Sequence, residues 1–91
     1  MEQGEMTALE GELLALIIET CERDPGMAVE MTSDSPLIGP DSMLGLDSLD
    51  AVEIVSLIHT RFGVRITSKE TSIEVLNSLR TMADYIELHR R

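Results

Sequence analysis

The amino-acid sequence predicts an all-α fold: a small four-helix bundle of three main helices and one short one, with a long loop between the first two. Three observations carry that prediction. Ninety-one residues leave room for one hydrophobic core. The apolar share is 43%, yet it contains no Trp, one Phe (Phe62) and one Tyr (Tyr85), so aliphatic residues and Met must fill that core. Such a composition suits packed helices better than an aromatic-rich barrel. Apolar residues also recur at helical spacing in segments bounded by Asp, Ser, Pro or Gly.

The first helix is expected over about 7–22. Met6, Leu9, Leu13, Leu16 and Ile17 share one face, Leu14 and Cys21 lie at its margin, and Glu12, Glu19 and Glu22 lie opposite. Asp24-Pro25-Gly26 stops it, and Ile18, off the stripe, is expected to pack against the loop that follows. Cys21 is alone, which excludes a disulfide scaffold and fits a small buried residue. Between 24 and 46, Pro25, Gly26, Pro36, Gly39, Pro40 and Gly45 break any long helix. A loop of this length should be functional or packed by its own side chains, here Leu37, Ile38, Met43, Leu44 and Leu46, in an Ω-like form.

The second helix is capped by Asp47 or Ser48, runs to Arg61 or Phe62 and ends at Gly63. Ala51, Val52, Ile54, Val55, Ile58 and Phe62 form its apolar arc. Asp50, Glu53, Ser56, Thr60 and Arg61 form the polar arc, in which Leu49 and Leu57 are apolar exceptions. A short extended link at 64–66 leads to a short helix over about 69–76 that buries Ile73, Val75 and Leu76. Asn77 or Ser78 caps the last helix, 79–89, which turns Leu79, Met82, Ala83 and Ile86 to the core. Arg90 and Arg91 follow its C-terminal turn, where the helix dipole favours cations.

Charge narrows the function. The net charge is −10, with 13 acids and one base, Arg23, in residues 1–60. A nucleic-acid binder needs a basic patch, and an anionic membrane surface would repel this chain, so the charge argues against both as partners. The opening residues are acidic, unlike a signal peptide, and the longest wholly apolar run, Leu13 to Ile18, is too short to span a bilayer. A cytoplasmic monomer is expected. An acidic surface of this kind steers basic partners.

Leu44-Gly45-Leu46-Asp47-Ser48-Leu49-Asp50 places a serine at a loop-to-helix junction, with Asp47 and Asp50 beside it and Glu53 one turn on. Free N–H groups and the helix dipole would favour a phosphate ester on Ser48, and Gly45 lets the chain turn tightly before it. The same residue type is also an ordinary helix cap. The pattern argues against a serine hydrolase, because no Gly-x-Ser-x-Gly elbow is present and His59 is three turns away from Ser48. A calcium loop starting at Asp34 has Gly39 at its sixth position but Pro36 at the third and Gly45 at the twelfth, and one starting at Asp41 has Leu46 at the sixth, which leaves Asp47, Asp50 and Glu53 at most a weak divalent cluster. One Cys and two separated His provide no zinc site.

The stretch from Pro36 to Val55, with Leu-Gly-Leu before Asp47-Ser48-Leu49 and Asp50-Ala51-Val52-Glu53 after it, resembles the acyl carrier protein family. Phe62-Gly63-Val64-Arg65-Ile66 and Asp84-Tyr85-Ile86 extend the resemblance to essentially the whole chain. It implies a single non-catalytic carrier domain, 1–91 with about 6–88 in the bundle, that bears 4′-phosphopantetheine on Ser48. The arm's thiol would hold acyl groups as thioesters for fatty-acid, polyketide or related biosynthesis. Asp47 would support attachment by a phosphopantetheinyl transferase. Leu49, Asp50, Glu53, Ser56 and Leu57 would meet basic docking patches on acyl-loading and acyl-processing enzymes. An aliphatic pocket of Ile54, Val55, Ile58, Leu76, Leu79 and Met82 would shelter the acyl chain. His59 and Arg61 break the acidic run along the second helix, which points to a specialised member. Two alternatives stand beside this reading: an unmodified acidic helical interaction protein, and a carrier of aminoacyl cargo for a dedicated ligase.

Overall fold

The computed structural model describes residues 6–90. Among them are four α-helices and no strand: α1 (Ala8–Thr20), α2 (Ser48–Phe62), α3 (Lys69–Val75) and α4 (Leu79–His89), with a 3₁₀ turn at Pro25–Ala28. Arg91 and the acidic opening stretch lie outside the described residues. The radius of gyration is 12.1 Å, close to the roughly 12 Å of a packed chain of this length.

Local side chains set each helix start. Thr7, Asp47, Ser68 and Ser78 each precede a helix in extended conformation and accept a hydrogen bond from a first-turn N–H. At α2 the far end is equally definite, since Gly63 adopts φ 68° and returns its N–H to the His59 carbonyl at 3.0 Å. α1 ends at Thr20, two residues short of the expected limit, because Glu22 takes a left-handed conformation (φ 56°) that no helix continues through.

α1 packs against α4 and α2, and α3 packs against α4. Leu13, Ile17, Ile54, Ile58, Leu79, Met82 and Ile86 are wholly buried at the centre. Cys21 is buried among them, as its apolar character suggests. Ile18 is half-buried against the same core. The loop before α2 is packed by its own side chains, as expected of an Ω-like form: Met31, Leu37, Leu44 and Leu46 are buried. Met43, expected to join them, is exposed.

Hydrogen bonds fasten that loop to the α3–α4 junction. The Leu37 N–H donates to the Asn77 carbonyl, the Arg80 N–H donates to the Ser33 carbonyl, and the Arg80 guanidinium forks onto both Asp34 oxygens. Glu10, which the helical wheel leaves unremarked, is buried. Its Oε1 accepts from the Thr7 N–H at 2.9 Å and from the Ser33 hydroxyl at 2.6 Å, joining the start of α1 to the loop. A carboxylate can be buried here because its partners are supplied.

Two expectations fail on the side facing α3. Val52 and Ile73, both assigned to the core, are 68% and 64% exposed. The reason is common to both: α2 and α3 flank a groove instead of packing face to face, so residues aimed between them meet solvent. Ile73→Ser should therefore change stability by no more than about 0.5 kcal/mol, whereas Leu79→Ala should cost about 2–5 kcal/mol. Urea unfolding of the two variants checks the contrast.

Candidate functional site

The junction into α2 is built by two reciprocal aspartates. Asp47 Oδ1 accepts from the N–H groups of Leu49 (3.0 Å) and Asp50 (3.2 Å), while Asp50 Oδ2 accepts from the Asp47 N–H at 3.0 Å. The hydrogen bond from the Asp50 N–H, with a further one from Leu49, holds the Asp47 carboxyl below its ordinary value of 3.8. Two first-turn donors expected to be free are thus taken by Asp47, leaving the dipole as the main attraction for a phosphate. Ser48 is the first helical residue and does not serve as the cap. It is exposed.

The approach to Ser48 is fixed by a tight turn. Gly45 sits at φ 68°, where an L side chain is strained, and its N–H donates to the Ser42 carbonyl. The Ser42 hydroxyl accepts from the Leu46 N–H at 3.2 Å, and the Leu46 carbonyl accepts from the Gly39 N–H at 2.9 Å. Leu46 is buried by this arrangement and Asp47 emerges beside it.

Arg23 braces the junction from behind. Its guanidinium donates to the Cys21 carbonyl (2.6 Å), the Leu44 carbonyl (2.9 Å) and Asp50 Oδ2 (2.9 Å). The Asp50 side chain is consequently only 17% exposed. The sequence presents Asp50 and Glu53 as equivalent exposed acids; the structure separates them, with Glu53 exposed and Asp50 engaged internally. Leu49 is 76% exposed and Ser56 is exposed, but Leu57 is half-buried against the core. Burial, reinforced by the negative charge of Asp50, raises the pKa of the Cys21 thiol.

Ser48 stands at one end of a groove of about 560 Å³ between α2 and α3. Ala51, Val52 and Val55 form its α2 wall, and Ile38, Ile66, Ile73 and Leu76 complete the apolar lining. Thr67, Ser68, Lys69, Ser72 and Asn77 supply polar groups. Of the six residues expected to form an aliphatic pocket, Val55 and Leu76 line this groove. Ile54, Ile58, Leu79 and Met82 do not, because they are wholly buried in the core behind it. A second hollow of about 390 Å³ continues along α2 and includes Ser56, His59 and Arg65. The two share Val52, Val55, Ile66 and Thr67.

Residues 12–86 match the family described as the phosphopantetheine attachment site. The chain belongs to that family. No solved structure matches it. Phosphopantetheine-attachment proteins bear 4′-phosphopantetheine covalently on a serine and work as carriers, in association with a phosphopantetheinyl transferase and with biosynthetic enzymes. The carrier's groove fits such a group. An exposed hydroxyl opens onto an apolar floor edged with hydroxyl and amide side chains, matching an arm that contains methyls, a hydroxyl and two amides. No helix among the described residues is long and apolar enough to cross a membrane.

The wheel missed Arg23, Ser72, Ile73 and Lys69 as parts of this region. One signal for Arg23 was present: a lone cation among the acids of the first sixty residues must satisfy some of them. Removing it in Arg23→Met should lower stability by on the order of 2 kcal/mol, as expected for hydrogen bonds to charged groups. A double-mutant cycle with Asp50→Asn should show coupling between the pair in urea unfolding. Asp47 gives a pH test. Its folded pKa lies below the unfolded one, so its contribution is complete above the ordinary carboxylate value and disappears as pH falls through the lowered one. Thermal melts should show the unaltered carrier ahead of Asp47→Asn near neutrality and the two converging in strong acid.

Proposed function

We propose that the Ser48 hydroxyl is the attachment point of 4′-phosphopantetheine. The chain then presents acyl groups to partner enzymes of fatty-acid, polyketide or related biosynthesis. When bound, the arm supplies a terminal thiol that holds cargo as a thioester. The observation that carries the reading is the position of Ser48: exposed, outside the capping hydrogen bonds, and at the mouth of a groove, within the region that matches the family.

The chain's own residues provide docking and shelter. Asp47 and Glu53 leave negative charge on either side of the serine, which attracts a basic transferase or synthase. Leu49 adds an exposed apolar contact at the centre of that acidic surface, the composition expected of a small interface core. Val52, Val55, Ile73 and Leu76 provide the apolar wall along which cargo is shielded from water. Asp50 contributes by holding the junction, and so belongs to the positioning of Ser48 more than to the docking face.

Coexpression with a broad-specificity phosphopantetheinyl transferase should add one phosphopantetheine mass to the chain and none to Ser48→Ala. An unchanged mass with several active transferases overturns the assignment. Glu53→Lys should slow modification at low ionic strength while leaving helicity intact, read by mass-spectrometric time course and circular dichroism. Equal rates would remove Glu53 from the docking face.

A further inference from the structure

We infer that the docking face reaches across the groove to a cationic edge formed by Arg61, Arg65 and Lys69. It fits a partner enzyme that carries carboxylates opposite this edge, besides the cations that meet Asp47 and Glu53. The inference rests on the carrier reading and adds the chemistry of the partner's surface. Three observations lead to it.

First, the groove is edged by charge of one sign. The chain holds 17 acids, yet no Asp or Glu lines either hollow. Lys69 lines the first and Arg65 the second. On α3, Lys69, Ser72, Ile73 and Leu76 face the groove, while Glu70 and Glu74 are exposed outside it. Asp47 and Glu53 also lie outside both hollows, at the start and on the outer side of α2.

Second, the fold does not use these cations. Arg23, Arg80 and Arg90 pair with Asp50, Asp34 and Glu87. Arg61, Arg65 and Lys69 are exposed, and among the described residues none of the three has a carboxylate partner. The helix dipole accounts for Arg61, which lies in the last turn of α2. It does not account for Arg65, in the link between helices, and it opposes Lys69, the first residue of α3. A charge that is locally unfavourable and unpaired within the chain marks a group that serves something outside it.

Third, apolar side chains stand between the acidic and the cationic sides. Val52 on the α2 wall and Ile73 on the α3 wall are both exposed. An apolar centre with a charged rim is the usual build of a protein–protein contact, and rim side chains commonly change rotamer as the partner arrives. A nucleic acid would bring phosphates without apolar surface for Val52 and Ile73, and the net charge of −10 opposes it. An enzyme surface supplies both features. Seated on the rims, it leaves the deeper Val55 and Leu76 to the prosthetic arm. Opposite signs on the two sides also disfavour a partner that presents one sign to both.

The test uses two synthetic amphipathic helical peptides with the same Leu face, one bearing Glu and the other Lys on the polar face. Each is titrated at low ionic strength into the isotope-labelled chain. The Glu peptide should shift the NMR backbone amides over 61–69 together with those of Val52 and Ile73; the Lys peptide should shift those over 47–53. Combining Arg65→Glu with Lys69→Glu should weaken the Glu peptide about fivefold, the order of two exposed ion pairs, and leave the Lys peptide bound at least as tightly. Arg65→Lys alone should bind the Glu peptide as the unaltered chain does. Equal binding of the Glu peptide by the double variant with its helicity intact, shifts scattered over the whole surface, or tighter binding of a short oligothymidylate than of the Glu peptide overturns the inference. The titrations do not need a modified Ser48. A chain that binds the Glu peptide as stated but is never phosphopantetheinylated therefore keeps the cationic edge and loses the carrier assignment.

Discussion

The three hydrogen bonds of Arg23 tie together parts of the chain that no local signal would join. One goes to the end of α1 at Cys21, one to the end of the long loop at Leu44, and one to the first turn of α2 at Asp50. From Asp50 the bonding continues to the Asp47 N–H, and from Asp47 back to the N–H groups of Leu49 and Asp50. Ser48 lies inside that closed set. Partial burial strengthens the three Arg23 bonds relative to water, and leaving their charged members unpaired would be costly. The orientation of Ser48 thus depends on a cation twenty-five residues earlier in the chain.

The same interaction redistributes the acidic surface. A row of carboxylates near Ser48 reads as a uniform field, but neutralising Asp50 concentrates the outward charge in Asp47 and Glu53. Leu49 stands between them, apolar and exposed. Farther along α2 the sign reverses at Arg61. A uniformly basic surface laid along this helix would meet attraction, an apolar contact and then repulsion. Charge order along one helix can therefore discriminate among partners that share a basic docking patch.

Helix limits were legible because they are decided by neighbours in sequence. Asp47, Ser78 and Gly63 act within one turn of themselves, and each sits at the limit expected of it. The α4 stripe of Leu79, Met82, Ala83 and Ile86 was equally readable, since one face of that helix meets one core. Helical periodicity identifies an apolar face but not whether another element covers it. That is why Val52 and Ile73 were placed in the core and stand exposed beside the groove. Periodicity was silent on Glu10, whose burial depends on a hydroxyl twenty-three positions away. It placed Asp50 in solvent for the same reason, because the Arg23 contact is made only once the long loop has folded. Of the candidate site, the serine and its flanking acids could be read from the chain; the groove that begins at the serine could not.

Cys21 has a chemical consequence that follows from its place beneath the Arg23–Asp50 pair. A protein that holds cargo on a thiol of its prosthetic arm contains a second thiol capable, in principle, of intercepting it by exchange. Interception requires the thiolate and an open path to it. Burial closes the path, and the raised pKa keeps the proton on sulfur. The bundle therefore keeps its own sulfur out of exchange with the thiol of the arm.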